Sequence, residues 1–240
     1  MTFLLSVIIA ETPNPFKILQ QSINRFNNQN ISFICDIRLQ SLSKEPINLN
    51  FKFHSYWPDS LNQYNYIKFY SPIDYKGTEI WSHYNSQILI KKRMPINNKI
   101  VIVENDSQNA DLINFFNFVD IFNNIKNNNL SIDEIKLNNK IVYRVNSYEN
   151  SSNKKTISFY IDKDNFSIYK VEWKNKRGFL NKILLFQDWA EIDNNNFPSK
   201  IIYEDIKKGL KTTCVLSDII FDNLDEEKVD LIKVGFIIDD

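Results

Sequence analysis

The chain has 240 residues, with 29 Lys plus Arg against 29 Asp plus Glu, so its formal charge is zero. That balance excludes a protein that grips nucleic acid by bulk charge, because such domains are basic. Hydrophobic residues at 43% and charged residues at 24% are ordinary for a folded domain and exclude a chain disordered by composition. Asn (33) and Ile (35) are abundant, whereas Ala (3) and Gly (4) are scarce. With four glycines, tight turns must use another residue that tolerates a positive φ, and Asn is that residue. Asn97-Asn98, Asn127 to Asn129, Asn138-Asn139 and Asn194 to Asn196 therefore read as turns. Many Ile, Phe and Tyr with little Ala favour strands over helices.

Residues 3–10 form an apolar run of eight, too short to span a bilayer but long enough for the core of an export signal. Ser6 and Ala10 place small residues near a cleavage point, and Pro13 and Pro15 break any strand that would continue. The run lacks a basic start, and an N-terminal strand is the alternative. Residues 1–12 are assigned to a signal-peptide remnant and 13–240 to one domain. Cys35 and Cys214 make neither a disulfide framework nor a zinc site. Both fall on apolar strand faces and read as buried thiols, with pairing as the alternative after export.

Residues 14–27 show helical spacing at Phe16, Ile18, Leu19, Ile23 and Phe26. From residue 31 the period becomes two. Ile31, Phe33, Cys35, Ile37 and Leu39 point one way, Ser32, Asp36, Arg38 and Gln40 the other. Segments 48–57, 64–70, 78–84, 87–92 and 99–104 add strands. Residues 110–125 break the series. Their Leu112, Phe115, Phe116, Phe118 and Phe122 cover most of a helix surface, so that helix must be buried or sit in an apolar cavity. Strands resume at 141–148, 156–161, 167–174, 179–192, 197–204 and 210–221 as a long antiparallel meander. No parallel strand–helix alternation occurs. The expected fold class is α+β, a strongly curved antiparallel sheet (a half-open barrel of about 10–11 strands) wrapped on a few helices.

Chemistry is sparse. His54 and His83 have no ligand partner at zinc spacing. There is no phosphate loop and no nucleophile elbow. Asp188, Glu191 and Asp193 could pair as hydrolytic carboxylates, but a solvated strand edge explains them as well. The Asp225-Glu226-Glu227 run reads as an acidic first helical turn. What remains is apolar surface, which reads as a core or as a ligand pocket.

The segment Phe69-Tyr70-Ser71-Pro72-Ile73-Asp74-Tyr75-Lys76-Gly77-Thr78-Glu79-Ile80 resembles a recurring stretch of the outer-membrane lipoprotein-sorting proteins, the LolA-like periplasmic carriers. So do Asn114 to Ile121, Tyr160-Ile161-Asp162, Tyr169-Lys170, Asp188-Trp189, Pro198, and Ser217 to Asp225, in the same order. The resemblance spans roughly residues 16–235. It implies a half-open sheet enclosing an apolar cavity, in a periplasmic protein that shelters lipid or lipoprotein acyl chains without catalysis and without a cofactor. The cavity would draw on Phe33, Ile37, Phe51, Phe53, Trp81, Phe115, Phe116, Phe118 and Phe122, with 110–125 as lid or plug. The partners implied are acyl chains and an inner-membrane transporter or exporter, with no nucleic acid, and the protein a monomer. Where the carriers have an Arg-Pro latch, this chain has Tyr56-Trp57-Pro58. The alternative is an interaction scaffold of an envelope exporter, with a filled core and a functional sheet edge.

Overall fold

The computed structural model describes residues 13–24, 30–58, 62–84, 88–96, 99–102, 128–148, 155–175, 177–193, 195–221, 229–230 and 232. Residues 1–12, expected to be a signal-peptide remnant, and the helix expected at 110–125 lie outside the described residues. Helix α1 (Pro15–Asn24) opens the fold. Asn14 caps it: its Oδ1 accepts from the backbone N–H of Phe16 (2.9 Å) and Lys17 (3.2 Å). Pro15 takes the first helical position, where no N–H is needed.

Six strands follow: β1 (Ile31–Ser41), β2 (Lys44–Tyr56), β3 (Gln63–Ser71), β4 (Glu79–Tyr84), β5 (Ile88–Arg93) and β6 (Ile100–Ile102). Seven more close the chain: β7 (Asn129–Leu137), β8 (Lys140–Tyr148), β9 (Lys155–Asp162), β10 (Ile168–Lys174), β11 (Leu180–Ile192), β12 (Asn195–Asp205) and β13 (Leu210–Phe221). They form one antiparallel sheet of 13 strands in the order β6-β5-β4-β3-β2-β1-β13-β12-β11-β10-β9-β8-β7. Two meanders are thus joined by the pairing of β1 with β13, and the sheet is open, ending at β6 and β7. The expectation of 10–11 strands was too low, and besides α1 the described residues 229, 230 and 232 are helical.

The strand missed was β7. Leu130 and Ile132 alternate correctly, but Glu134 takes the next inner position, opposite Tyr143, and Ile135 and Leu137 change faces. An edge strand half-exposed on both faces has no clean period. Of the turns that Asn had marked, Asn138-Asn139 is found as one, whereas Asn129 opens β7, Asn195 and Asn196 open β12, and Asn97, Asn98, Asn127 and Asn194 lie outside the described residues. Asn138 (φ 46°) and Asn139 (φ 66°) form a two-residue hairpin of the primed type, which needs positive φ at both positions.

One face of the sheet is apolar across nearly its whole width. Phe33 faces Phe53, Cys35 faces Phe51, and Ile37 faces Leu49. The row continues through Ile67 and Ile80 on one side and through Leu216, Ile201, Phe186, Val171, Phe159 and Val145 on the other. Ile18, Leu19 and Ile23 of α1 join this core. The cysteines are free and buried, diagonal neighbours on this face, since Cys35 stands opposite Leu216 and Cys214 opposite Ile37. Burial and its hydrogen bond with Cys214 push the Cys35 thiol up. At the β2–β3 connection the inner face becomes polar: Gln63 donates to Ser55 (3.1 Å), and Asn65 to Ser82 (3.2 Å).

Asn139→Ala should cost about 1 kcal/mol of stability, because Ala meets the full left-handed penalty. Urea denaturation of the purified variant checks this.

Candidate ligand cavity

Each wall residue is placed by strand register. On β1, Ile37 and Leu39 follow Phe33 and Cys35 along the inner face. Leu49 on β2, Ile67 and Phe69 on β3 and Ile80 on β4 continue one wall. Trp173 on β10, Leu184 on β11, Tyr203 on β12 and Leu210 on β13 form the other. Together they enclose a cavity of about 860 Å³. Lys92 of β5 and Trp173 of β10 line the same space, though eight strand spacings separate their strands. A flat sheet would hold them about 38 Å apart. The sheet therefore curls on its apolar face, as expected.

Lysines frame this apolar interior. Lys44, Lys92, Lys174, Lys182, Lys208 and Lys211 border the cavity, against Glu45 and Asp205. Lys182 Nζ lies 5.8 Å from the centre of the Tyr203 ring. Asp205 is engaged in its own turn, accepting from the Lys208 N–H at 3.0 Å. Lys211 pairs with Glu204 at 2.8 Å. Among the described residues no group of three His, Cys, Asp or Glu could hold a metal.

Of the residues expected at the site, Ile37 lines the cavity. Phe33, Phe51 and Phe53 share its face but are packed into the adjoining core, Phe33 stacking on Phe53 at 4.8 Å. Phe115, Phe116, Phe118 and Phe122 lie outside the described residues. Trp81 is a correction. In β4, Ile80 is the inner residue, paired with Ile67, so Trp81 projects from the outer face beside Tyr66. There it is 1% exposed, in a second core with Tyr66 and Ile232. The signal that would have placed it was the neighbouring Ile80, which fits the inner row by parity. Leu39 was read on the same apolar face as Ile37 but was not carried into the expected cavity set, and Trp173, Leu184 and Tyr203 were not singled out in the sequence, since strands distant in the chain bring them together.

The outer face carries polar ladders. Tyr66 Oη donates to Glu79 Oε1 at 2.7 Å, Arg93 pairs with Glu79, and the Arg93 guanidinium sits 5.3 Å from the Trp81 ring centre. Burial, then the bond to Glu79, pushes the Tyr66 phenol far up. Further along, Tyr160 Oη donates to Glu172 (2.8 Å) and Arg144 pairs with Asp133. Burial and the bond to Glu172 push Tyr160 up to about 12. At the β9–β10 turn, burial alone would raise the Asp162 carboxyl. Bonds from Tyr169 Oη (2.5 Å) and from the N–H groups of Asp164 and Asn165 outweigh it and hold it below the usual value. These groups lie away from the cavity and support the fold.

A family model described as an uncharacterized protein matches residues 62–229, more than half of the chain, and the chain belongs to that family. No curated protein matches it. Solved structures share the fold. A DUF1329 family protein from Desulfovibrio piger superposes with a TM-score of 0.70 at 16% identity, covering 87% of this chain and 92% of its own. A putative outer membrane lipoprotein-sorting protein domain from Vibrio parahaemolyticus gives 0.69 at 16%, covering 92% and 98%. A LolA superfamily protein from Nitrosomonas europaea gives 0.63 at 15%, covering 90% and 97%. The resemblance read from Phe69 to Ile80 and the later segments thus holds for the fold.

Two measurements test this placement. Trp81→Ala should cost about 3–5 kcal/mol, as for other buried aromatics, whereas Trp173→Ala, on the half-open cavity wall, should cost about 2 kcal/mol or less. Equal losses in urea titrations would contradict the assignment of faces. For Asp162 the depressed pKa gives stability that is in place above the ordinary value near about 3.9, and that is lost as pH falls through the folded value. Tyr169→Phe should therefore cost about 1 kcal/mol at neutral pH, with the gap to wild type narrowing once both carboxyls protonate in acid.

Proposed function

We propose that the protein is a non-enzymatic carrier that shelters an acyl chain of a lipid or lipoprotein in this cavity, acting in the periplasm. The single observation that carries the reading is an apolar cavity of about 860 Å³ bordered by lysines on a sheet with a lipoprotein-sorting fold. That volume lies in the range of about 300–1,000 Å³ usual for small-molecule sites. Each methylene moved from water to such a wall is stabilised by about 0.8 kcal/mol, and no directional group is required. Curvature leaves the wall open at one end, so a chain can enter without passing through the core. The apolar segment 1–12 supports export, and an inner-membrane transporter or exporter is the proposed donor.

Organic extracts of natively purified protein should contain a stoichiometric acyl species by mass spectrometry. Leu39→Trp fills the cavity from a half-buried position and should weaken binding of a fluorescent fatty acid about tenfold, or about 1.4 kcal/mol. A brominated acyl chain should quench Trp173, and Trp173→Phe should remove that part of the quench. An empty extract together with undiminished binding by Leu39→Trp would overturn the carrier reading.

A further inference from the structure

Antiparallel strands send their connections alternately to the two ends of the sheet, and the ends of this sheet differ. The β1–β2, β3–β4, β5–β6, β10–β11 and β12–β13 turns gather at the end where the cavity reaches the surface. Each holds a large apolar side chain in water: Leu42 (91% exposed), Ile73 (79%), Ile96 (95%), Phe179 (66%) and Ile206 (50%). The described turns at the other end, at residues 57–58, 138–139, 163–166 and 193, hold none. Charge follows the same division. The cavity-end turns carry Lys76, Lys99, Arg177, Lys207 and Lys208 against Asp74. The other end has Lys163 against Asp164 and Asp193. In a chain of zero net charge this is a sorted distribution. The tips are also close together. A Cβ added to Gly209 would run into the Leu42 side chain, and one on Gly77 would come within 3.3 Å of Pro95, so turns from different hairpins touch.

We propose that this end of the sheet docks on an anionic lipid bilayer, with the apolar tips entering the interface and the cations lying over the headgroups. Apolar residues set singly on separate loops, with lysines between them, suit a fluid interface. A protein partner would favour one contiguous apolar core, and lysine is depleted there. Anionic headgroups complement the positive turns, each cation near the surface adding to the attraction. The cavity would then open towards the membrane, and a chain could pass between them without crossing water. The docking itself rests on the turns alone, not on any cargo, so it can fail while the carrier reading stands.

The test is flotation of full-length protein with phosphatidylcholine vesicles, with and without about a quarter phosphatidylglycerol. Wild type should float with the anionic vesicles, and binding should fall as salt is raised. The variant Leu42→Asp/Ile96→Asp/Phe179→Asp changes no cavity-wall residue and should lower the partition coefficient at least about tenfold. Lys207→Glu/Lys208→Glu should weaken binding to the anionic vesicles, and Asn139→Asp at the other end should change nothing. Absence of flotation with anionic vesicles, or undiminished flotation of the triple variant, overturns the proposal. So does binding to native membranes that pure lipid vesicles cannot reproduce, which would assign this end to a protein partner.

Discussion

A sheet of 13 strands with one apolar face cannot lie flat in water. The row from Ile80 through Phe53, Phe33 and Leu216 to Val145 crosses most of its width, and α1 is only ten residues long. Among the described residues α1 leaves most of this face to the sheet itself, which curls so that its two halves share the face between them. Curling sets the rest of the architecture. It makes the core, in which Phe33 stacks on Phe53. It makes the cavity too, which is the volume left where the two walls diverge towards the hairpin turns. It also accounts for the outer face, where polar ladders such as Tyr160–Glu172 and Arg144–Asp133 meet solvent. The sheet has the covered face and the wet face of antiparallel architecture, bent through a large angle.

The second core on the outer face, around Trp81, Tyr66 and Ile232, breaks this division locally. There the sheet is covered on both sides, and the Glu79 carboxylate is buried with Tyr66 and Arg93 beside it. Buried charge of this kind survives only when paired. Its partners sit in neighbouring strands at register positions, so the ladder also opposes slippage of β3, β4 and β5 past one another.

How much of this the sequence discloses depends on the range of the interaction. Strands such as β1 were legible because their alternation is clean and local, and the Asn138-Asn139 hairpin because two left-handed residues in a row leave few other readings. β7 was not, because Glu134 occupies an inner position and the apolar residues then change face. Trp81 was assigned to the wrong face because Ile80 and Trp81 are both apolar, and only pairing with Ile67 decides which one points inward. The family resemblance carried the curvature and the existence of a cavity. Among the described residues its walls were legible only on the β1–β2 face that carries Ile37, Leu39 and Leu49, since the opposite wall, with Trp173, meets them through a bend that no short window encodes.

The pairing of β1 with β13 has a consequence in time. These strands are the first and the last, and the seam between them cannot form until residue 221 has left the ribosome. Until then the N-terminal meander has an open edge at β1 and an apolar face without its second wall. A chain built this way can pair its local hairpins early, but the two walls of its apolar face come together only after the final strand arrives.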